Sequence, residues 1–482
     1  MIYLIKPYID RNKFGILNYW DVPSLALGYL AAVLEKNNIK VKIIDADILR
    51  LNERDLFKII KKVPPTIIGL TGNVFTAKYS IYTALKLKKE FGNANIIFGG
   101  PYATIEYEFL LNNNIAEIVV LGEGEKTFLE LIKALQSGED LKNTKGIAYK
   151  KDKKIIVNPL RENIQNLDDL PFPAWHLFPN IKKYKNLRGV TNKPYLPLMT
   201  SRGCPYSCIW CTKCIHGKKL RYRSAENVFA EIRYFVEKYD VKEFIVMDDT
   251  FTQNRVRVLK LCFLLRNYRK KIVLNLYNGV RADKLDDFLI KALKSVGVNR
   301  ITLGIESGNQ MVLNRIKKSL DLKDVIKSLD LIKKNHLISD IFIMLGLPFD
   351  TKKTVNGTIR FTRSLNPDHA YYFLTIPYRG TELYEIVKNH GTFLEEYQIG
   401  ILNQINDGKV LYEINDLKKD FLEKKFSEAY KTFYLRPLKI LSLLKLYFEF
   451  VLKFRSLTQI KWLFNEVLAL LVKFKIFQKI LK

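Results

Sequence analysis

Short apolar runs recur along the first third of the chain, each closed by glycine or a polar turn. Val41-Lys42-Ile43-Ile44-Asp45, Ile67-Ile68-Gly69-Leu70-Thr71, Asn95-Ile96-Ile97-Phe98-Gly99-Gly100 and Ile118-Val119-Val120-Leu121-Gly122 have the length and β-branched content of buried strands. Between them, apolar residues return at helical spacing, as from Leu25 to Lys36 and from Tyr79 to Phe91. Strands alternating with helices predict βαβ units around a parallel sheet. Ligands of such sheets bind at the carboxyl ends of the strands. Those ends read Thr71-Gly72-Asn73, Gly99-Gly100-Pro101-Tyr102 and Gly122-Glu123-Gly124-Glu125. One such glycine is an ordinary tight turn. Three at successive strand ends predict an edge where backbone can approach a large flat ligand.

Residues 141–195 break the pattern and read as a connector. Lys150 to Lys154 is a charged turn, and Leu170-Pro171-Phe172-Pro173-Ala174-Trp175 has neither helical nor strand period. A second series follows over 196–385. Its strand candidates are Leu196 to Thr200, Phe244 to Met247, Ile272 to Leu276, Ile301 to Ile305, Ile341 to Leu345 and Ala370 to Ile376, with helices such as Ala225 to Glu237 and Lys284 to Val296 between them. Six units predict a partial βα barrel with its chemistry at the carboxyl ends of the strands. The expected fold class is α/β: a Rossmann-like domain over 1–140, the connector, a partial (βα)6 barrel and a helical region over 386–482.

That last region is helical from about residue 412. Leu438 to Phe454 and Ile460 to Leu481 are rich in Leu, Phe and Ile, with Lys439, Lys445, Lys453, Lys461, Lys473, Lys475 and Lys479 at intervals. A wide apolar face with a cationic border fits a helix lying in a membrane interface. It fits equally a helical cap packed on the barrel.

Composition narrows the picture. At 482 residues and 48% hydrophobic, the chain can bury two or three cores. A formal charge of +30 points to an anionic partner, or to Lys used wherever a solvated residue serves. No Arg-rich block singles out nucleic acid. No run of eighteen uncharged apolar residues occurs, so no membrane span is expected. Met1 leads directly into the strand-like Ile2-Tyr3-Leu4-Ile5, so no leader peptide is expected either. The reading is a cytoplasmic protein, with peripheral contact on the inner membrane face as the variant that the C-terminal helices suggest.

The chemistry is concentrated in Cys204-Pro205-Tyr206-Ser207-Cys208-Ile209-Trp210-Cys211. Only five Cys occur, and four lie between 204 and 214, which cannot staple a large fold with disulfides. A four-thiolate zinc site using Cys214 would normally join two separated pairs, and no second pair exists. Three thiolates at C-x3-C-x2-C spacing can instead hold three irons of a cubic iron–sulfur cluster and leave the fourth open to a ligand. Cys262, in an apolar helical run, reads as a core residue.

With Trp210 preceding the last cysteine, this loop resembles that of the radical S-adenosylmethionine superfamily. Met247-Asp248-Asp249-Thr250-Phe251, Asn278-Gly279-Val280-Arg281-Ala282-Asp283, Gly304-Ile305-Glu306-Ser307-Gly308, Leu345-Gly346-Leu347-Pro348 and Thr375-Ile376-Pro377-Tyr378-Arg379-Gly380-Thr381 agree with it at the later strand ends. The N-terminal part is similar to the cobalamin-binding domain of one large subgroup, through Val22 to Ala31, Gly99-Gly100-Pro101 and Gly122-Glu123-Gly124-Glu125. Two departures stand out. The Asp-x-His-x-x-Gly cobalt-ligating motif is absent, because Asp45-Ala46-Asp47-Ile48 has no His. Arg379 replaces a usual Pro, with little consequence expected, although a cation near the barrel mouth could meet an anionic substrate.

The resemblance implies a [4Fe-4S] cluster on Cys204, Cys208 and Cys211, with its open iron chelating S-adenosylmethionine. It implies one-electron cleavage to a 5′-deoxyadenosyl radical, fed by an external reductant of flavodoxin or ferredoxin type. Trp210 would pack near the adenine, or is a buried aromatic. Glu306, Ser307 and Gly346 fall where the family contacts the nucleoside. Asp248, Asp249 and Arg281 end strands facing the pocket, or partner other protein groups. Thr71, Gly72, Gly99, Gly100, Gly122, Glu123 and Gly124 form the cobalamin edge. The implied activity is methyl transfer to an unactivated carbon of a small molecule or lipid. The alternative is ring closure, as in magnesium-protoporphyrin cyclase, with a vestigial or non-methylating cobalamin domain. A tRNA methylthiotransferase would carry N-terminal cysteines, and none precedes Cys204. The non-enzymatic alternative is a basic nucleic-acid binder with a structural cluster.

Overall fold

The computed structural model describes residues 1–10, 21–185, 190, 192–276, 278–394 and 408–453. Ile460 to Leu481, expected as a second apolar helix, lies outside them.

Strands β1 (Ile2–Lys6), β2 (Val41–Asp45), β3 (Ile67–Thr71), β4 (Asn95–Gly99), β5 (Ile118–Val120), β6 (Ile147–Lys151) and β7 (Lys154–Val157) form one sheet in the order β2-β1-β3-β4-β5-β6-β7. The first five run parallel, and β6 and β7 are antiparallel. Alternate strand residues point to opposite faces. Ile2, Leu4, Val41, Ile67 and Ile97 pack under the helices Leu25–Lys36 and Gly124–Ser137. Tyr3, Ile5, Ile68, Leu70 and Phe98 pack under Glu53–Lys61 and Ala77–Glu90 on the other face.

The stretch expected as a pure connector therefore begins as a hairpin that extends the sheet. Its charged turn holds Asp152 and Lys153 in left-handed backbone. Exposed lysines interrupt its apolar alternation, which is why it does not read as strand. The proline-rich bridge then crosses the helix Leu25–Lys36 at Gly28, where an added Cβ would stand 3.0 Å from Pro173 and 3.1 Å from Trp175.

The second unit is built from β8 (Tyr195–Leu198), the two-residue strands β9 (Ser201–Arg202) and β10 (Arg221–Tyr222), then β11 (Glu243–Val246), β12 (Val273–Asn275), β13 (Arg300–Glu306), β14 (Ile338–Leu345) and β15 (His369–Leu374). The six longer strands form two parallel sheets, β12-β11-β8 and β13-β14-β15, joined by one bridge between Val280 and Leu303. This is the partial barrel that the sequence predicts. Cys262 is buried in its core.

The C-terminal region is not wholly helical. A short ribbon, β16 (Gly391–Phe393) with β17 (Tyr412–Ile414), precedes the helices Lys419–Tyr434 and Pro437–Lys453. The first helix caps the open edge of β15. The Tyr430 hydroxyl donates to the Tyr372 carbonyl and accepts from its amide, both at 3.1 Å, and Tyr434 does the same for Ala370 at 3.0 and 3.1 Å. An exposed strand edge is thereby satisfied by side chains. Lys439, expected on a solvated cationic face, is instead buried and donates to the Pro367 carbonyl. Leu438 and Leu441 of the same helix are exposed.

Candidate active site between the sheet and the barrel

The cysteine loop hangs from the β9–β10 ribbon, which pairs Arg202 with Arg221 and Ser201 with Tyr222. Gly203 starts the loop at φ 89°, with its Cβ position blocked by the Lys219 carbonyl, so only glycine fits there. The Cys204 amide donates to the Gly217 carbonyl at 3.3 Å, and the Cys211 amide to Cys208 at 3.2 Å. Between the cysteines, Ile209 is buried in an apolar cluster with Val312, Leu313, Ile316 and Leu383, and Trp210 packs on its edge.

All the cysteines are free thiols. Burial raises the Cys208 thiol and pushes Cys211 up to about 12, so these sulfurs stay protonated until a metal replaces the proton. Among the described residues, no three His, Cys, Asp or Glu side chains converge on a single ion. A cubic cluster does not require that, because each thiolate takes a different iron. Three thiols on one short loop, anchored at both ends, fit such a cluster.

A cavity of about 600 Å³ lies between this loop and the carboxyl edge of the sheet. The sheet contributes Thr71, Gly99, Gly100, Gly122, Glu123 and Gly124, and the barrel contributes Cys204, Cys211, Met199, Met247 and Asp249. Gly100 stands at φ 91°, and a Cβ there would sit 2.5 Å from Thr71 Oγ1. A Cβ on Gly122 would meet nothing within 4 Å, and one on Gly99 would rest in ordinary contact with Val120 at 3.7 Å. Glycine backbone facing a mostly apolar cavity fits a broad ligand such as a corrin. Gly72 does not line the cavity; its carbonyl accepts the Tyr102 amide at 3.2 Å.

The cavity is sealed on one side by buried charges from both units. Glu123 accepts from Arg221 Nη1 at 2.9 Å and Nη2 at 2.8 Å, from the Ile164 amide at 2.8 Å, and meets His216 Nδ1 at 2.8 Å. Arg202 bonds Glu125 at 2.5 Å and lies 3.4 Å from Glu123. Burial alone would raise the Glu123 carboxyl. The His216 and Arg221 hydrogen bonds and the Arg202 charge outweigh it and hold the group well below the usual carboxylate range. Arg202, Arg221 and His216 were not singled out by the sequence. Their only local signal is position, with Arg202 two residues before Cys204 and Arg221 alternating with Arg223 just after the loop.

The strand-end residues of the barrel divide. Asp249 lines the cavity, and burial raises its carboxyl. Asp248 turns away, accepting from the Thr200 amide and from the Thr200 and Ser201 hydroxyls, with Arg257 at 3.8 Å. Arg281 donates to the Lys318 carbonyl at 2.9 Å and the Ser319 carbonyl at 2.5 Å. Its guanidinium also stacks 3.6 Å from the ring centre of Tyr206, inside the cysteine loop. Glu306 sits at φ 72° and pairs with Lys318 at 2.8 Å, and the Lys318 ammonium lies 5.6 Å over the Trp210 ring. Ser307 is buried, accepting from the Asn309 amide at 3.2 Å. Gly346, at φ 80°, offers its carbonyl to Tyr412 at 2.5 Å. Arg379, expected as a cation near the barrel mouth, pairs with buried Glu106 of the sheet unit at 3.2 Å.

Comparisons with known proteins agree with this geometry. The radical SAM superfamily matches residues 198–362, and the B12 binding domain matches 19–132. The uncharacterized methyltransferase PH0819 of Pyrococcus horikoshii is 33% identical, over 86% of this chain and 88% of its own. The cytidylyl-2-hydroxyethylphosphonate methyltransferase of Streptomyces wedmorensis is 27% identical over 84% of this chain and 87% of its own. The anaerobic magnesium-protoporphyrin IX monomethyl ester cyclase of Rubrivivax gelatinosus is 26% identical over 80% and 69%. Among solved structures, the cobalamin-dependent radical enzyme OxsB, with aqua-cobalamin and S-adenosylmethionine bound, shares the fold. Its TM-score is 0.73 over 97% of this chain and 70% of that one, at 18% identity. Flanking the cavity with these two matched units, the chain belongs to the radical S-adenosylmethionine superfamily, among the enzymes that carry an N-terminal B12-binding domain.

Proposed function

We propose that the protein is a cobalamin-dependent radical methyltransferase acting on an unactivated carbon of a small molecule. The observation that carries this is the single cavity shared by the glycine edge of the sheet and by Cys204 and Cys211. Cys204, Cys208 and Cys211 hold the [4Fe-4S] cluster, and Gly99, Gly100, Gly122 and Gly124 receive the corrin. When bound, the cluster with S-adenosylmethionine supplies a one-electron cleavage, and cobalamin supplies the methyl group. The chain's own part is to orient and to seal. The Glu123–Arg221 and Glu125–Arg202 pairs clamp the cysteine loop to the sheet. Leu25, Leu30, Ile97 and Phe128 give the cavity water-excluding walls. Arg281, against Tyr206, steadies the loop from the barrel side. An external one-electron donor of flavodoxin or ferredoxin type completes the scheme, in a cytoplasmic setting.

Anaerobic reconstitution tests the reading. About four irons and one cobalamin per chain are expected, with 5′-deoxyadenosine, S-adenosylhomocysteine and a methylated product from a metabolite pool. Failure to retain cobalamin overturns it. 5′-Deoxyadenosine without S-adenosylhomocysteine favours the cyclase reading, which the resemblance to the Rubrivivax enzyme supports.

No helix among the described residues is long and apolar enough to cross a membrane. Peripheral contact rests on exposed Leu435, Leu438 and Leu441. Flotation with acidic vesicles should fall in the variant carrying Leu438→Asp and Leu441→Asp. Equal flotation of both forms rules the contact out.

A further inference from the structure

Lys213 follows the last cysteine of the loop by two residues and lines the cavity beside Cys204, Cys211 and Asp249. Among the described residues it is the one lysine whose ammonium is buried with no hydrogen-bond partner. Its backbone is left-handed, φ 50°, a region that a lysine enters only when its surroundings impose it. The loop does impose it, because the Gly217 amide closes back onto the Lys213 carbonyl at 3.0 Å. A buried ammonium that makes no hydrogen bond is costly for a fold to keep.

The neighbouring cation shows the contrast. Lys318 also lies against the cysteine loop, yet it is neutralised by Glu306 at 2.8 Å. Lys213 instead lines the cavity with Cys204, Cys211 and Asp249, and its ammonium bonds none of them.

We infer that Lys213 is a positioning residue for electron entry: its unpaired ammonium compensates the negative charge of the cluster held by Cys204, Cys208 and Cys211 and favours the reduced state. The inference rests on the cluster assignment of the proposed function. Three thiolates leave the assembly net negative, and reduction adds one electron in a poorly solvated place. A fixed cation offsets that charge without reorganisation. Net charge around an iron–sulfur cluster is one of the levers on its potential. The balance is simple: one electron passes from an external donor to the cluster, no bond is made or broken, and the ammonium keeps its proton.

The test is a redox titration of the reconstituted full-length protein with dithionite, followed by electron paramagnetic resonance. Wild type is compared with Lys213→Met, Lys213→Gln and Lys213→Arg, with iron content checked in each. In the Met and Gln variants the reduction equilibrium should weaken about tenfold, a fall of about 59 mV for one electron. The Arg variant should stay within about twofold of wild type, and S-adenosylmethionine affinity should be unchanged throughout. A midpoint that moves less than twofold in Met and Gln variants with full iron content overturns the inference alone. So does an unmoved midpoint with a tenfold loss of S-adenosylmethionine affinity, which would assign the ammonium to a carboxylate of that ligand. A wild-type chain that assembles no four-iron cluster overturns the proposed function and this inference together.

Discussion

At the carboxyl ends of the sheet strands, Gly99, Gly100, Gly122 and Gly124 leave bare backbone facing the cavity. At the ends of the barrel strands, Asp248, Arg281 and Ser307 commit their polar atoms to neighbouring loops. Both sets of positions read alike from sequence, as strand-end residues in matching motifs. The difference is in what each lacks. At Gly122, where a Cβ would meet nothing within 4 Å, volume remains for a ligand. Where a charged side chain is present and buried, the fold has to satisfy it, and a protein partner is the nearest means. A polar strand-end residue is therefore weaker evidence of ligand contact than a glycine with open space above it.

The largest expected effect comes from breaking the charged seam between the two units. Glu123→Gln leaves Arg202 and Arg221 short of a counter-charge and should cost about 3–5 kcal/mol in denaturant unfolding. A melting curve indistinguishable from wild type would show that the seam is dispensable. The pH dependence has a definite sign. The Glu123 carboxyl is depressed below its ordinary 4.5, so its contribution is fully present above that pH. It is lost as the pH falls below 4.5 towards the folded value.

Asp248→Ala sharpens the comparison from the barrel side. It strands the Thr200 and Ser201 hydroxyls and should cost about 2–3 kcal/mol of stability while leaving S-adenosylmethionine affinity little changed. Lost affinity with unchanged stability would place Asp248 on the ligand after all. Gly99→Ala is the converse. The nearest atom to the new methyl is 3.7 Å away, so folding should lose less than about 1 kcal/mol. Cobalamin retention by equilibrium dialysis should nevertheless drop about tenfold or more. Retention at the wild-type level would mean that the corrin does not lie on this edge.

The smallest effect is expected outside the cavity lining. Burial lowers the Lys439 ammonium to about 8, so folding resists its charged form. Wild-type stability should therefore rise as the pH goes from 8 towards 10.5, and Lys439→Met should lack that rise. Parallel profiles for the two proteins would refute the assignment.

The parallel strands of the first sheet were legible because they are short runs rich in Val and Ile and mostly buried, and β3 spans the residues that the pattern marks, Ile67–Thr71. The glycine turns were legible because glycine is local punctuation. The β6–β7 hairpin was not, since Lys150, Lys151 and Lys154 break its alternation at an exposed edge. Nor was the charged seam. Glu125 meets Arg202 across 77 residues and Glu123 meets Arg221 across 98, and no periodicity reports a contact at that range. Lys439 shows the same limit, because its spacing matches a cationic stripe while its burial is decided by Pro367 on another element.

The seam also bears on how the chain is made. Synthesis runs from the amino end, and domains tend to fold as they emerge. The sheet is thus complete before Arg202 and Arg221 exist, with Glu123 and Glu125 open to water. The arrival of the cysteine loop then discharges both carboxylates in one docking event. A nascent sheet that keeps its acids hydrated has less reason to aggregate while it waits, and a barrel separated from it would show bare guanidinium groups where its partner belongs.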